Sequence, residues 1–170
     1  MRVLKALAQE HRIFLRLIGR IERALSAGED AARAEVRESL LVLLPALDKH
    51  EEIEESAFSA CGPIPGAGRI EEELEHEHGR VRALRTEVRE ALGGVDRGWD
   101  AFKPLVLALT RKLRGHFQIE ELRLWPRYAR AMGRSRDRTL GGRVDQEVKR
   151  LANEVVLNRL IVSDYLKGGR

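Results

Sequence analysis

The stretch Val106–Leu124, VLALTRKLRGHFQIEELRL, sets Val106, Leu109, Leu113, His116, Glu120 and Leu124 at separations of three and four residues. That is the apolar seam of a helix packed against other helices, and it puts a histidine and a glutamate into the core. The same spacing recurs upstream. A second helix carries Leu43, Leu47, His50, Glu54 and Ala57, and the first carries Leu4, Leu7, His11, Phe14, Ile18, Ile21 and Leu25. The third offers Leu74, His78, Val81, Leu84 and Val88, with His76 turned away to an exposed position.

Breaks fall where glycine and proline cluster. The first helix is expected over Arg2–Ser26, ending at Ala27-Gly28, and the second from a cap at Asp30 to about Ala60, with Pro45 removing one backbone hydrogen bond and kinking it. CGPIPGAG, Cys61–Gly68, reads as a loop. The third helix spans about Arg69–Leu92 and the fourth about Trp99–Met132, with Pro126 marking a bend or stop. RSRDRTLGG is a connection to a fifth amphipathic helix, about Arg143–Leu166, with Val144, Val148, Leu151, Val155, Val162 and Tyr165 on one face. No strand pattern and no tandem repeat beyond the heptads stands out.

Short connections force neighbours in sequence to run antiparallel, so the expected fold class is all-α, an up-down-up-down four-helix bundle with an additional C-terminal helix. The bundle occupies 1–133. The remainder, 134–170, is a basic connection and a helix packed on the bundle or at an interface between two copies, a possible homodimer.

Composition agrees. In 170 residues, 43% hydrophobic and 34% charged with only 5% aromatic is too apolar for disorder and too rich in helix formers for a sandwich or barrel. The single cysteine, Cys61, excludes a disulfide framework and a thiolate zinc cluster. No apolar run is long enough to span a membrane and the N-terminus lacks a signal-peptide pattern, so a cytoplasmic location without membrane attachment is expected. A net charge of +4 comes from 31 basic against 27 acidic residues interleaved along helix faces. The one basic concentration, Arg127, Arg130, Arg134, Arg136, Arg138 and Arg143, is spread around a Gly/Ser turn without a recognisable binding motif, so no nucleic-acid partner is expected. Ser56 lacks an Asp orienter at useful helical spacing and no phosphate-binding glycine loop occurs, which leaves hydrolase and nucleotidase chemistry without a signal.

A lone core histidine is ordinarily a hydrogen-bonded structural residue. Four on the seams of four helices, with two glutamates, require another account. An unpaired buried carboxylate costs several kcal/mol, and the seam neighbours of Glu54 and Glu120 are apolar, so a bound cation is the simplest neutralising partner. Height agrees: in an antiparallel bundle His11, His50, His78 and His116 all fall roughly 15 Å from one end at 1.5 Å per residue. His50 with Glu54, and His116 with Glu120, are four apart, an axial offset of about 6 Å that is wide for one shared metal and suits two. Four imidazoles and two carboxylates form an N/O donor set fitting redox-active iron, with zinc or manganese also able to occupy it.

These stretches, QEHRIFLRLIGRIERAL, DKHEEIEESAF, EHEHGRVRALRTEV and GHFQIEELRLWP, resemble the hemerythrin-like, or HHE cation-binding, family over residues 1–130. The resemblance implies a non-haem di-iron centre with a bridging oxo or hydroxo group, His11, His50, His78 and His116 as terminal ligands and Glu54 and Glu120 as bridges. It further implies a small diatomic or peroxide ligand such as O2, NO or H2O2, held for sensing, storage or scavenging. Oxygen-carrying members have a further histidine where this chain has Arg82, and an aspartate where it has Glu121. The chain is closer to members with four histidines and two glutamates, which include iron-centre repair proteins, but those carry an N-terminal region with vicinal cysteines. A redox or repair enzyme using the same site is one alternative, and a helical interaction module with a structural metal is another. Glu51, Glu52, Glu55, Glu75, Glu77 and Glu121 fall off the seam and are expected to be mostly solvated, some hydrogen-bonding the histidines. Phe14 would wall the metal pocket.

Overall fold

A computed structural model describes residues 2–27, 29–59, 68–94, 98–131, 138, 141–142 and 144–154. The chain is all-α. Its helices are α1 (Arg2–Leu25), α2 (Glu29–Ser59), α3 (Gly68–Leu92), α4 (Trp99–Ile119) and α5 (Trp125–Ala131), with a π-helical turn, Glu120–Leu124, joining the last two, and 144–154 are again helical. Each of the first three packs on its successor, and α1 also packs on α4, which closes the bundle.

The seams position the core as their spacing requires. Of the α1 residues, Leu7, His11, Phe14, Ile18, Ile21 and Leu25 are buried, whereas Leu4 is only partly so and Val3 takes its place. Leu43, Leu47, His50, Glu54 and Ala57 of α2, and Val106, Leu109, Leu113 and His116 of α4, are all buried, as are Glu120 and Leu124 beyond it. In α3 the inward series is His78, Val81, Arg85, Val88 and Leu92; Leu84 lies at the margin, because strict alternation of three and four runs through Arg85.

Pro45 leaves α2 unbroken. Both it and Leu41, whose carbonyl it deprives of a partner, lie on the exposed side, where water can satisfy that oxygen. Helix α2 begins at Glu29, so Asp30 lies within the first turn rather than at a cap.

The fourth helix departs most from expectation. In place of one α-helix to Met132, the backbone widens at Glu120, and the Trp125 N–H bonds the Glu120 carbonyl five residues back. This turn sits immediately before Pro126, whose missing N–H and bulky ring disrupt regular i to i−4 bonding. The chain therefore absorbs Pro126 by a wider turn and carries on helically.

Two apolar clusters result. The larger contains Phe14, Ile18, Leu43, Leu47, Leu109 and Leu113; the smaller contains Val3, Leu7, Ala57, Leu124, Trp125 and Val144. His11 lies between Leu7 and Phe14 in sequence, His50 and Glu54 between Leu47 and Ala57, and His116 and Glu120 between Leu113 and Leu124. A polar tier thus divides the core.

Of the fifth amphipathic segment, Val144 and Leu151 are buried against the bundle and Asp145 pairs with Arg2 at 2.6 Å. Gly141 permits this approach: a Cβ there would fall 2.8 Å from the Arg2 Cβ. Val155, Val162 and Tyr165 lie outside the described residues, as do Cys61 and most of the Arg-rich connection. No described helix is long and apolar enough to cross a membrane.

Candidate metal centre

The four seam histidines meet in two pairs. His11 and His50, from α1 and α2, have their Nε2 atoms 3.0 Å apart. His78 and His116, from α3 and α4, have ring centroids 4.7 Å apart. Glu120 lies between the pairs: its Oε1 is 2.7 Å from His116 Nε2 and 3.4 Å from His78 Nε2, and its Oε2 is 3.3 Å from His11 Nε2. Two sets of donors therefore converge within 4.8 Å, His11 with His50 and Glu120, and His78 with His116 and Glu120. Every member is buried.

Glu54 is placed differently. Its Oε1 accepts the Trp125 indole N–H at 2.8 Å, and its Oε2 has no hydrogen-bond partner, lying 3.9 Å from His50 Nε2. It lines, with His50, His78 and His116, a cavity of about 10 Å³. His76 is exposed on the outer face of α3. Phe14 is buried edge-on to the His50 ring at 5.3 Å, and His11 stacks on Phe117 and Trp125, so aromatic rings wall the tier against water.

The protons of the first pair are fixed from behind. Glu121 Oε1 lies 2.8 Å from His11 Nδ1, and Glu10 Oε2 lies 2.8 Å from His50 Nδ1. A carboxylate only accepts, so each Nδ1 donates and each Nε2 presents a lone pair inward. Two lone pairs facing across 3.0 Å repel unless a positive species lies between them. A shared proton or a cation meets that requirement. Carboxylates behind metal-binding histidines supply this orientation and raise their basicity.

Electrostatics of the metal-free tier tell the same story. Burial, then the neighbouring Glu120 carboxylate, pushes Glu54 well above the usual carboxylate range. Burial would raise Glu120 too, but the imidazoles of His11, His116 and His78 around it outweigh burial and hold Glu120 well below that range. For His11 burial favours the neutral ring, yet Glu120 and Glu121 overcome it and raise its pKa; for His50 burial prevails and lowers it. With no metal, the tier holds protons where a cation would sit. Glu54 Oε2 and Glu120 Oε2 have no hydrogen-bond partner, and buried oxygens of this kind fit a donor set for a cation.

The chain matches the family model for the hemerythrin HHE cation-binding domain over residues 2–128, and again over 69–155. It belongs to that family. The overlapping matches mirror an order shared by the two halves of the bundle, a helix with a Glu-His pair followed by one with H-x-x-x-E-E: Glu10-His11 then His50 to Glu55, and Glu77-His78 then His116 to Glu121. Comparison with curated proteins and with solved structures gave no match.

The glutamates off the seam divide by contact. Glu52, Glu55 and Glu75 are exposed. Glu77 pairs with Lys112, and Glu51 with Arg82 and Arg85. Arg82, where oxygen carriers have histidine, turns to the α2 carboxylates: its Nε is 2.6 Å from Glu51, and Glu55 receives another nitrogen at 2.5 Å. Glu10, Trp125 and Arg85 escape a search confined to histidines and seam carboxylates. Glu10 adjoins His11 on the buried face, and Arg85 completes the heptad series of α3.

Proposed function

We propose that this HHE-domain protein holds two irons and binds a small diatomic or peroxide ligand, in a sensing, storage or scavenging role. His11 and His50 would serve one ion and His78 and His116 the other, with Glu120 and Glu54 between them. The observation that carries this reading is Glu120, whose two oxygens lie within 3.4 Å of histidine nitrogens from both pairs. When bound, a pair of irons supplies redox-active coordination positions open to a small molecule. Around it, Glu10 and Glu121 hold the Nδ1 protons of His50 and His11, Phe14 and Phe117 exclude water, and Trp125 fixes one oxygen of Glu54. The cavity of about 10 Å³ has room for one water-sized species at most, which disfavours a large organic substrate.

Metal analysis of protein from iron-supplemented cells tests this, with absorption spectra in air, without air, and with azide or NO. Two irons per chain and ligand-dependent bands are expected, with reversible ligation and no turnover. Turnover with an electron donor would favour a redox or repair enzyme. A spectrum indifferent to azide and NO, in a chain that unfolds on metal removal, would leave only a structural metal.

A further inference from the structure

Arg85 is the one arginine or lysine described in the lining of the cavity that it shares with His50, Glu51, Glu54, His78 and His116. Arg85 is only 6% exposed. One terminal nitrogen is anchored to Glu51 at 2.5 Å and lies 3.5 Å from Asp48, but its Nε is buried with no hydrogen-bond partner. An orphaned guanidinium N–H in a dry site carries a desolvation cost that a ligand acceptor would remove. Its charge adds to the attraction that two metal cations, incompletely neutralised by two carboxylates, exert on an anion.

We propose that Arg85 is a specificity-determining residue that binds small monoanions at the metal centre, donating a hydrogen bond from Nε to the ligand and favouring anionic over neutral diatomic ligands. The inference rests on the metal centre proposed above. Glu51, which also lines the cavity, acts as a positioning residue for Arg85, since its carboxylate holds one terminal nitrogen of the guanidinium. The heptad register of α3 carries Arg85 to the cavity wall two turns beyond His78, and a neutral residue there would leave a pocket selective by size alone.

The test is titration of the metal-loaded protein with azide, followed by absorption, and of its reduced form with NO. Wild type is compared with Arg85→Gln, Arg85→Lys and Arg89→Gln, the last removing a surface partner of Asp48. Metal content is measured for each. Arg85→Gln is expected to weaken azide about tenfold or more while NO affinity stays within about twofold, and Arg85→Lys to recover part of the azide affinity. Arg89→Gln should match wild type. Full metal content with unchanged azide affinity in Arg85→Gln, or equal losses for azide and NO, would overturn the inference alone. Should Arg85→Gln fail to fold, Arg85→Lys decides: the same ratio of azide to NO affinity as wild type would overturn it, and a shift against azide would support it. A wild-type chain that takes up no metal would overturn the centre, and this inference with it.

Discussion

Trp125 donates its indole N–H to Glu54 at 2.8 Å, tying the segment after the π-helical turn to the C-terminal part of α2. Glu54 is buried and its other oxygen is orphaned, so this bond is the one hydrogen bond described for its carboxyl. Trp125→Phe keeps an aromatic ring and removes the donor. It is expected to cost about 1–3 kcal/mol in the metal-free protein, measured by denaturant unfolding at fixed pH. A change in midpoint below about 0.5 kcal/mol would show that the bond does not hold Glu54 in place.

Metal stoichiometry should follow the two donor sets. His116→Ala and Glu54→Ala are each expected to lose at least one metal, and His76→Ala none, because His76 points to solvent. Glu120→Ala should lose both, since it belongs to both sets. Elemental analysis of protein purified in parallel checks all four variants, and normal metal content in His116→Ala or Glu54→Ala would refute their assignment.

The metal-free and metal-loaded proteins should respond to pH in opposite directions. Glu54 and His11 both have raised folded pKa values, through burial beside Glu120 for the first and through Glu120 and Glu121 overcoming burial for the second. Such groups contribute stability below their unfolded pKa and lose it as pH rises through the folded one. Glu120 and His50 have lowered values, so their contributions are already complete above about pH 6.5. The metal-free protein is therefore expected to lose stability as pH rises above the ordinary histidine value of about 6.5. Metal binding releases those protons, so metal affinity should rise over the same window. Denaturant midpoints and competitive chelator titrations at several pH values measure the two trends, and a metal-free protein that gains stability with pH would contradict the first.

Arg82 bridges α3 and α2 from a position where oxygen carriers have a ligand. Its side chain is 42% exposed, so solvent screens its ion pairs. Arg82→Ala is expected to cost less than about 1 kcal/mol and to leave metal content unchanged. Loss of a metal from this variant would assign Arg82 a role in holding the centre that its contacts do not suggest.

Heptad spacing made the bundle legible in the sequence and set all six proposed ligands on its inner seams, because a seam residue is buried whatever its chemistry. His11, His50, Glu54, His116 and Glu120 follow directly from alternation, and His78 does too once Arg85 replaces Leu84 in its register. What stayed hidden was of two kinds. Arg85 and Glu10 are buried charges, and a reading that assigns charge to the surface passes over them although their spacing is right. The π-helical turn depends on Pro126, just beyond its end, rather than on any pattern of apolar residues, and it brings Glu120 and Glu121 onto opposite edges of one imidazole, His11.

The central claim is that Glu120 lies between two ions. Iron content per chain, measured in wild type and Glu120→Ala from iron-supplemented cells alongside circular dichroism to confirm folding, tests it most directly. Two irons in the wild type and none in a folded variant are predicted. A folded wild type without bound metal, or a Glu120→Ala variant that keeps both ions, would contradict it.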